Sequence, residues 1–200
     1  MLLNYLFKNS SKAKKDENKF IYKISYLEIY KENMIDLLHL NNREKLQLSD
    51  VNGILNIKNL RKLIISSPEE AIKYIIDGNH FLHTASTLMN NESSRSHAII
   101  SIYIENNILK NNKIKKSVFH IIDLAGSERQ KKAGTFGDRT KEAGSINKSL
   151  LNLSIVIQNI INNKKPIPYR DSKLTHILRD SLGGNAKTSI IATISNLDNN

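Results

Sequence analysis

Seven consecutive residues, Ser117-Val118-Phe119-His120-Ile121-Ile122-Asp123, set the architecture: the run is mostly apolar, broken within only by His120, and ends on a carboxylate. A strand with one solvated face alternates apolar and polar side chains, whereas a continuous run is expected of a central strand covered on both faces. Covering it requires helices, and the chain supplies them. Leu2, Leu3, Leu6 and Phe7 fall at helical spacing, followed by a polar surface loop over residues 9–19. Ser67-Pro68-Glu69-Glu70 is an N-cap, a first-turn proline and a capping-box glutamate, predicting a helix with Ile72, Ile75 and Ile76 as its buried stripe. Ile146, Leu150, Leu153, Ile157, Ile160 and Ile161 mark one face of a long helix that Pro166 and Pro168 stop. Leu174, Ile177, Leu178 and Leu182 mark a shorter one ending at Gly183-Gly184.

Between the helices the pattern predicts strands. Residues 20–30 form one that runs into a helical turn over 34–38, and short strands flank the Asn52-Gly53 turn within 41–59. Residues 61–65 follow, then 98–105, where Ile100, Ile102 and Ile104 alternate with polar positions, then a hairpin-like loop over 106–116. Gly126, Gly134, Gly137 and Gly144 punctuate a long polar loop, and residues 188–195 close as a strand. Strands alternating with helices, without an internal repeat or a linker, give the α/β class and one layered domain.

Composition narrows the chemistry. With no cysteine, disulfides, thiolate zinc sites and cysteine nucleophiles are excluded together. His39, His80, His83 and His120 are scattered, which suits structural or exposed roles rather than a metal site. No apolar run is long enough to span a bilayer, and the first seven residues lack a charged leader region and a cleavage site. The net charge of +11 directs attention to an acidic partner. Ile, Asn and Lys number 29, 25 and 23, a bias an AT-rich coding sequence produces, so a basic total alone is equally a solvated surface.

Asp123-Leu124-Ala125-Gly126 carries the sharpest chemical signal. A carboxylate at the end of a buried strand faces the sheet edge where α/β proteins bind ligands, and can hold a Mg²⁺-bound water. A glycine three residues on lets the main chain approach a terminal phosphate. Taken singly, Asp-x-x-Gly is an ordinary turn. Ser93-Ser94-Arg95-Ser96-His97 adds three hydroxyls, which are hard-ion ligands, and a guanidinium suited to pair with Glu128. By itself that segment is a Ser-rich turn before a strand.

Together these blocks resemble the kinesin motor domain: Asn90-Asn91-Glu92-Ser93-Ser94-Arg95-Ser96-His97, Asp123-Leu124-Ala125-Gly126-Ser127-Glu128, and Ile167-Pro168-Tyr169-Arg170-Asp171-Ser172-Lys173-Leu174-Thr175. Ser25-Tyr26-Leu27-Glu28-Ile29-Tyr30 and Ile146-Asn147-Lys148-Ser149-Leu150 extend the match, in family order, from about Ser25 to Asn196. The resemblance implies a P-loop NTPase-like α/β core with a central mixed sheet and helices on both faces, hydrolysing ATP with Mg²⁺ on a microtubule. It makes residues 90–97 switch I, with Asn90 at the nucleotide, Ser94 on Mg²⁺ and Ser93 near the γ-phosphate. It makes 123–128 switch II, with Asp123 on a Mg²⁺-bound water, the Gly126 N–H on the γ-phosphate, and an Arg95–Glu128 ion pair closing the site. Order and disorder of such loops is the device GTPases use.

In that family the loop after switch II, the long helix and the Pro-Tyr-Arg-Asp-Ser-Lys segment face tubulin, whose surface is acidic. Residues 129–187 hold 12 Lys+Arg against 4 Asp+Glu, most of the chain's net +11. Random scatter would put about +3 there, so the clustering fits a binding face. Lys131, Lys132, Lys148, Tyr169, Arg170 and Lys173 are the candidate contacts; Gly144 and His176 stand where the family often has Lys and Arg. The setting implied is the cytoplasm, on the microtubule cytoskeleton, with no nucleic-acid partner, no membrane insertion, and oligomerisation determined outside this segment.

One motif is absent. No Gly-x-x-x-x-Gly-Lys-Ser/Thr occurs, and Gly183-Gly184-Asn185-Ala186-Lys187-Thr188 has the residue types without the spacing. The expectation is a partial motor domain: residues 1–19 the end of a helix and a surface loop, residues 20–200 the switch and microtubule-binding half, inactive alone. The alternative is a nucleotide-blind, non-motile tubulin-binding module. A basic nucleic-acid binder is a third class, against which the lack of an aromatic RNA platform or helix-turn-helix pattern weighs.

Overall fold

The computed structural model describes residues 2–12, 17–39, 44–88, 96–126 and 138–193. Its elements are α1 (Leu2–Lys12), β1 (Asn18–Tyr30), β2 (Asn33–Asp36), β3 (Gln47–Val51), β4 (Ile54–Lys58), β5 (Leu63–Ile65), α2 (Pro68–Leu88), β6 (His97–Ile108), β7 (Lys113–Asp123), α3 (Asp138–Ile161), α4 (Lys173–Ile177) and α5 (Arg179–Gly183). The main sheet runs β2-β1-β6-β7, and β5 pairs with β1 on the same edge as β2. Every pairing among the described strands is antiparallel.

Residue parity sorts the core. In β1, Tyr22 and Ile24 face α1 and α2, joining Ile65, Ala71 and Ile102, with Leu3, Leu6 and Phe7 packed against them. Leu27 and Ile29 face the opposite way, joining Ile99 of β6 and Leu153, Leu174 and Leu178 from α3 and the segment after it. Ile24 pairs with Ile102 and Leu27 with Ile99, so a shift of one residue would exchange the two faces. Ile24 and Ile102 are fully buried, each worth about 1.5–3 kcal/mol relative to exposure.

α2 starts as the cap residues dictate: the Glu70 N–H donates to Ser67 Oγ at 3.2 Å, while Glu70 Oε2 accepts from the Ser66 N–H at 2.8 Å. Its buried stripe is not the one expected. Ile72 and Ile76 are exposed, and the inward face carries Ala71, Tyr74, Ile75, Gly78 and Leu82. Two small residues on that face allow close approach; a Cβ on Gly78 would overlap the Tyr26 ring.

Other boundaries move as well. Residues 33–36 form strand β2 instead of a helical turn, because Lys31 and Glu32 take left-handed φ values of 50° and 60° and reverse the chain tightly. β6 and β7 extend well into the expected 106–116 loop, turning at Leu109–Asn111. α3 begins at Asp138, so the helix runs through Gly144. β7, expected to be covered on both faces, is the sheet's outer strand among the described residues, with Val118, Phe119 and Ile121 exposed. Residues 188–193 enter no ladder, and Ile191 is 92% exposed. A strand needs a partner: among the described residues, 188–193 have none, and β7 has β6 on one edge and no strand on the other.

Candidate functional site

The site is built where β7 ends and β6 begins. Antiparallel pairing sets Ala98 opposite Asp123, so the Asp-x-x-Gly turn and the end of the Ser-rich block emerge side by side at one edge of the sheet. Asp123 is exposed there, Ala125 is buried and Gly126 is half-buried. The charges of Asp123 and Glu28 add to burial in pushing the Tyr26 phenol up, and Tyr26 donates to Asn79 Oδ1 at 2.6 Å, tying α2 to this edge.

His97 joins three elements. Its Nδ1 accepts the Ala125 N–H at 3.0 Å and its Nε2 lies 2.7 Å from Ser149 Oγ on α3. A main-chain N–H can only donate, so Nδ1 carries the lone pair and the neutral ring donates from Nε2 to the serine. Burial pushes this imidazole down to about 4. His97, Ser149 and Ala125 are each at most 5% exposed.

Of the residues expected at the nucleotide, Asp123 ends β7 and Gly126 lies three residues beyond it; Asn90, Ser93, Ser94, Arg95 and Glu128 lie outside the described residues. The described donor fits a hard cation: Asp123 is an exposed carboxylate at the strand end, an oxygen ligand of the kind that holds Mg²⁺ through water.

The second half of the site is the segment after α3. Ser172 caps α4, accepting the Thr175 N–H at 3.1 Å, and Thr175 Oγ1 donates to the Tyr169 carbonyl at 2.7 Å, fixing the Tyr169–Asp171 turn against the helix. From the β1–β2 turn, Glu32 Oε2 accepts the Lys173 N–H at 2.9 Å. From the β3–β4 hairpin, Asp50 Oδ2 accepts Arg179 Nη1 at 2.6 Å and Arg170 Nη2 at 3.4 Å, while Arg179 Nη2 donates to the Gly53 carbonyl at 2.6 Å. The Arg179 hydrogen bond holds the Asp50 carboxyl below the usual carboxylate range. Burial, and then the charges of Arg170 and Arg179, push His176 down, leaving it neutral between them.

Thus Tyr169, Arg170 and Lys173 come together on one surface with the hairpin, and Arg170 and Lys148 are exposed. Lys131 and Lys132 lie outside the described residues. Sequence reasoning put His97 within switch I and Ser149 within a family motif without giving either a contact, and gave no role to Glu32, Asp50 or Arg179. The one local signal was the Asn52-Gly53 turn, which places Asp50 near a hairpin tip. Among the described residues no group of three His, Asp or Glu side chains converges as a metal site, and no helix is long and apolar enough to cross a membrane.

Comparison with known proteins agrees with this geometry. The kinesin motor domain pattern matches residues 1–200. Kinesin-like protein KIN-12G of Oryza sativa subsp. japonica is 44% identical over 188 residues, covering 91% of this chain and 15% of the relative. Chromosome-associated kinesin KIF4A of Homo sapiens is 43% identical over 205 residues, covering all of this chain and 16% of the relative. The solved structure of a fast kinesin, described with its ATPase mechanism and microtubule interactions, superposes with a TM-score of 0.84 at 36% identity, over 92% of this chain and 52% of that one. The motor and motor homology domain of Kar3Vik1 gives 0.80 at 32% identity, over 92% and 48%. The chain spans about a seventh of these curated relatives' length and about half of the solved motor chains. With the family pattern matched over residues 1–200 and relatives at 43–44% identity covering nine-tenths or more of it, the chain belongs to the kinesin motor domain family.

Proposed function

We propose that this chain is the switch-bearing, tubulin-facing half of a microtubule-stimulated ATPase, and that the phosphate-binding loop is supplied from outside these 200 residues. The observation that carries it is the convergence of Asp123–Gly126 with the start of β6 at one end of the sheet, where two loops sensing a γ-phosphate would meet. Among the described residues the outer edge of β7 has no strand beside it, which supports the partial-domain reading, since Val118, Phe119 and Ile121 are the side chains of a covered strand.

When bound, MgATP supplies the transferable γ-phosphoryl group. Asn90 and Ser93 would lie along the nucleotide, Ser94 would ligate the ion and Asp123 would hold one of its waters. The Gly126 N–H would orient the terminal phosphate, and the Arg95–Glu128 pair would exclude bulk water. Lys131, Lys132, Lys148, Tyr169, Arg170 and Lys173 would meet acidic tubulin, giving an on-rate that falls with salt. Cargo binding and oligomerisation belong to other segments of the protein, and its place is the microtubule cytoskeleton.

A nucleotide-blind tubulin-binding module is the second reading, favoured by the absence of Gly-x-x-x-x-Gly-Lys-Ser/Thr from the sequence. ATP turnover of the whole protein decides. We expect Gly126→Ala and Glu128→Ala to abolish microtubule-stimulated hydrolysis while nucleotide binding persists, and Lys131→Ala with Lys132→Ala to raise the half-activating microtubule concentration several-fold at low salt. Unchanged turnover in the first two variants refutes the switch assignment. Micromolar binding of a fluorescent ATP analogue by the 200-residue chain alone refutes the need for an outside phosphate loop.

A further inference from the structure

We propose that His97 is a positioning residue whose two ring nitrogens clamp the main chain beside Gly126 to helix α3, so that displacement at the γ-phosphate is carried to the tubulin-facing helix. This rests on the switch reading above and names a physical link within it.

Ala125 immediately precedes the glycine that would meet the terminal phosphate, and its buried N–H has His97 Nδ1 as acceptor at 3.0 Å. On the other side of the ring, Nε2 and Ser149 Oγ are 2.7 Å apart, across 52 positions of sequence. Ser149 is buried, while its neighbour Lys148 is exposed. A change at the 124–126 turn therefore reaches a candidate tubulin contact through one ring and one helical residue.

Three properties suit the ring to this task. First, His97 opens β6, where pairing with Ile29 of β1 and the adjacent Ala98–Asp123 pair hold its main chain on the rigid sheet. The ring therefore serves as a fixed reference against which the 124–126 turn and α3 are both registered. Second, the geometry admits only one protonation state. A protonated ring would set an N–H at Nδ1 against the N–H of Ala125, two donors face to face, so the clamp stays neutral and breaks by separation, not by titration. Third, both bonds are buried, so neither partner finds water as a substitute when the bond opens, and an intermediate with one bond broken is disfavoured. The linkage thus has two discrete arrangements, joined or parted, which is what transmission between distant sites requires.

The experiment uses the complete motor protein carrying this segment, as parent, Ser149→Ala and Ser149→Thr, with basal and microtubule-stimulated ATP turnover measured for each. Ser149→Ala removes the far bond and leaves the buried Nε2–H without an acceptor, a cost in stability that a urea midpoint reads separately, while the Ala125 N–H keeps its acceptor. The expected result is basal turnover and nucleotide affinity within about two-fold of the parent, with microtubule stimulation cut roughly 5- to 50-fold, within the range of about 5- to 150-fold typical of coupling between sites. Ser149→Thr, which keeps the hydroxyl, should restore most of it. Nitrogen-15 NMR of the parent should show His97 as the neutral ring protonated on Nε2. Stimulation unchanged in Ser149→Ala, with a stimulated parent, overturns the clamp alone. A parent without microtubule-stimulated turnover overturns the switch reading, and the clamp with it. An Nδ1-protonated ring overturns the geometry whatever the turnover.

Discussion

Acidification is expected to weaken the fold through His97 by an amount that burial sets. The ring is 2% exposed and titrates near 4 in the folded state, against about 6.5 in the unfolded chain. Between those values the unfolded state binds the extra proton, so stability is full above about pH 6.5 and is lost as pH falls toward 4. At about 1.4 kcal/mol for each pH unit of separation, the loss approaches 3 kcal/mol below pH 4 and is already about 2 kcal/mol at pH 5. His97→Gln removes the titration while keeping one acceptor and one donor on the side chain. Urea midpoints of parent and variant, measured from about pH 7.5 to pH 5, isolate the effect, because His120 and His176 are common to both. The parent should lose about 2 kcal/mol more than the variant across that span. A stability difference that does not change with pH would refute the argument that this ring is buried neutral.

Two further outcomes follow from packing. Ser172→Ala should lower stability by about 1 kcal/mol, seen as a lower urea midpoint, because the Thr175 N–H loses its acceptor at the start of α4; an unchanged midpoint would show the cap to be idle. Gly78→Ala should destabilise by about 1–2 kcal/mol in the same assay, since overlap with the Tyr26 ring outweighs the gain of up to about 1 kcal/mol in helix propensity. A stabilised variant would mean that the ring has room to move.

What the chain discloses of itself depends on how local each cause is. The α2 cap, the Asn52-Gly53 hairpin and the alternation in β6 are encoded within a few residues, and the structure has them where expected. The face of α2 was hidden because the side packed on the sheet is marked by the small Ala71 and Gly78, while the larger Ile72 and Ile76 point outward. The start of α3 was hidden by Gly144, which a helix held by packing further along tolerates. At the site, the Asp123-x-x-Gly126 turn was legible from strand end and spacing alone. Long-range pairs carry no local periodicity: Asp50 meets Arg179 across 129 positions and His97 meets Ser149 across 52. For the same reason β7 read as a covered strand; its composition records the neighbours it is suited to, and no described residues supply them on its outer edge.

The order of the sheet also has a consequence for synthesis on the ribosome. β6 and β7 are joined by a three-residue 3-10 turn, Leu109–Asn111, with Asn112 in the left-handed region, so they can zip together as soon as both emerge. β1, in contrast, ends at Tyr30 while its long partner β6 begins at His97, about 70 residues later. At translation rates of about 5–20 residues per second, β1 waits on the order of 3 to 14 s for that partner. During the wait the strands available to it are β2 and β5, both on one edge, while α1 and α2 can cover the face that carries Ile24. The nascent chain thus passes through an interval in which its longest strand is open on one flank, and a chaperone that holds extended apolar segments should engage residues 18–30 until β6 arrives.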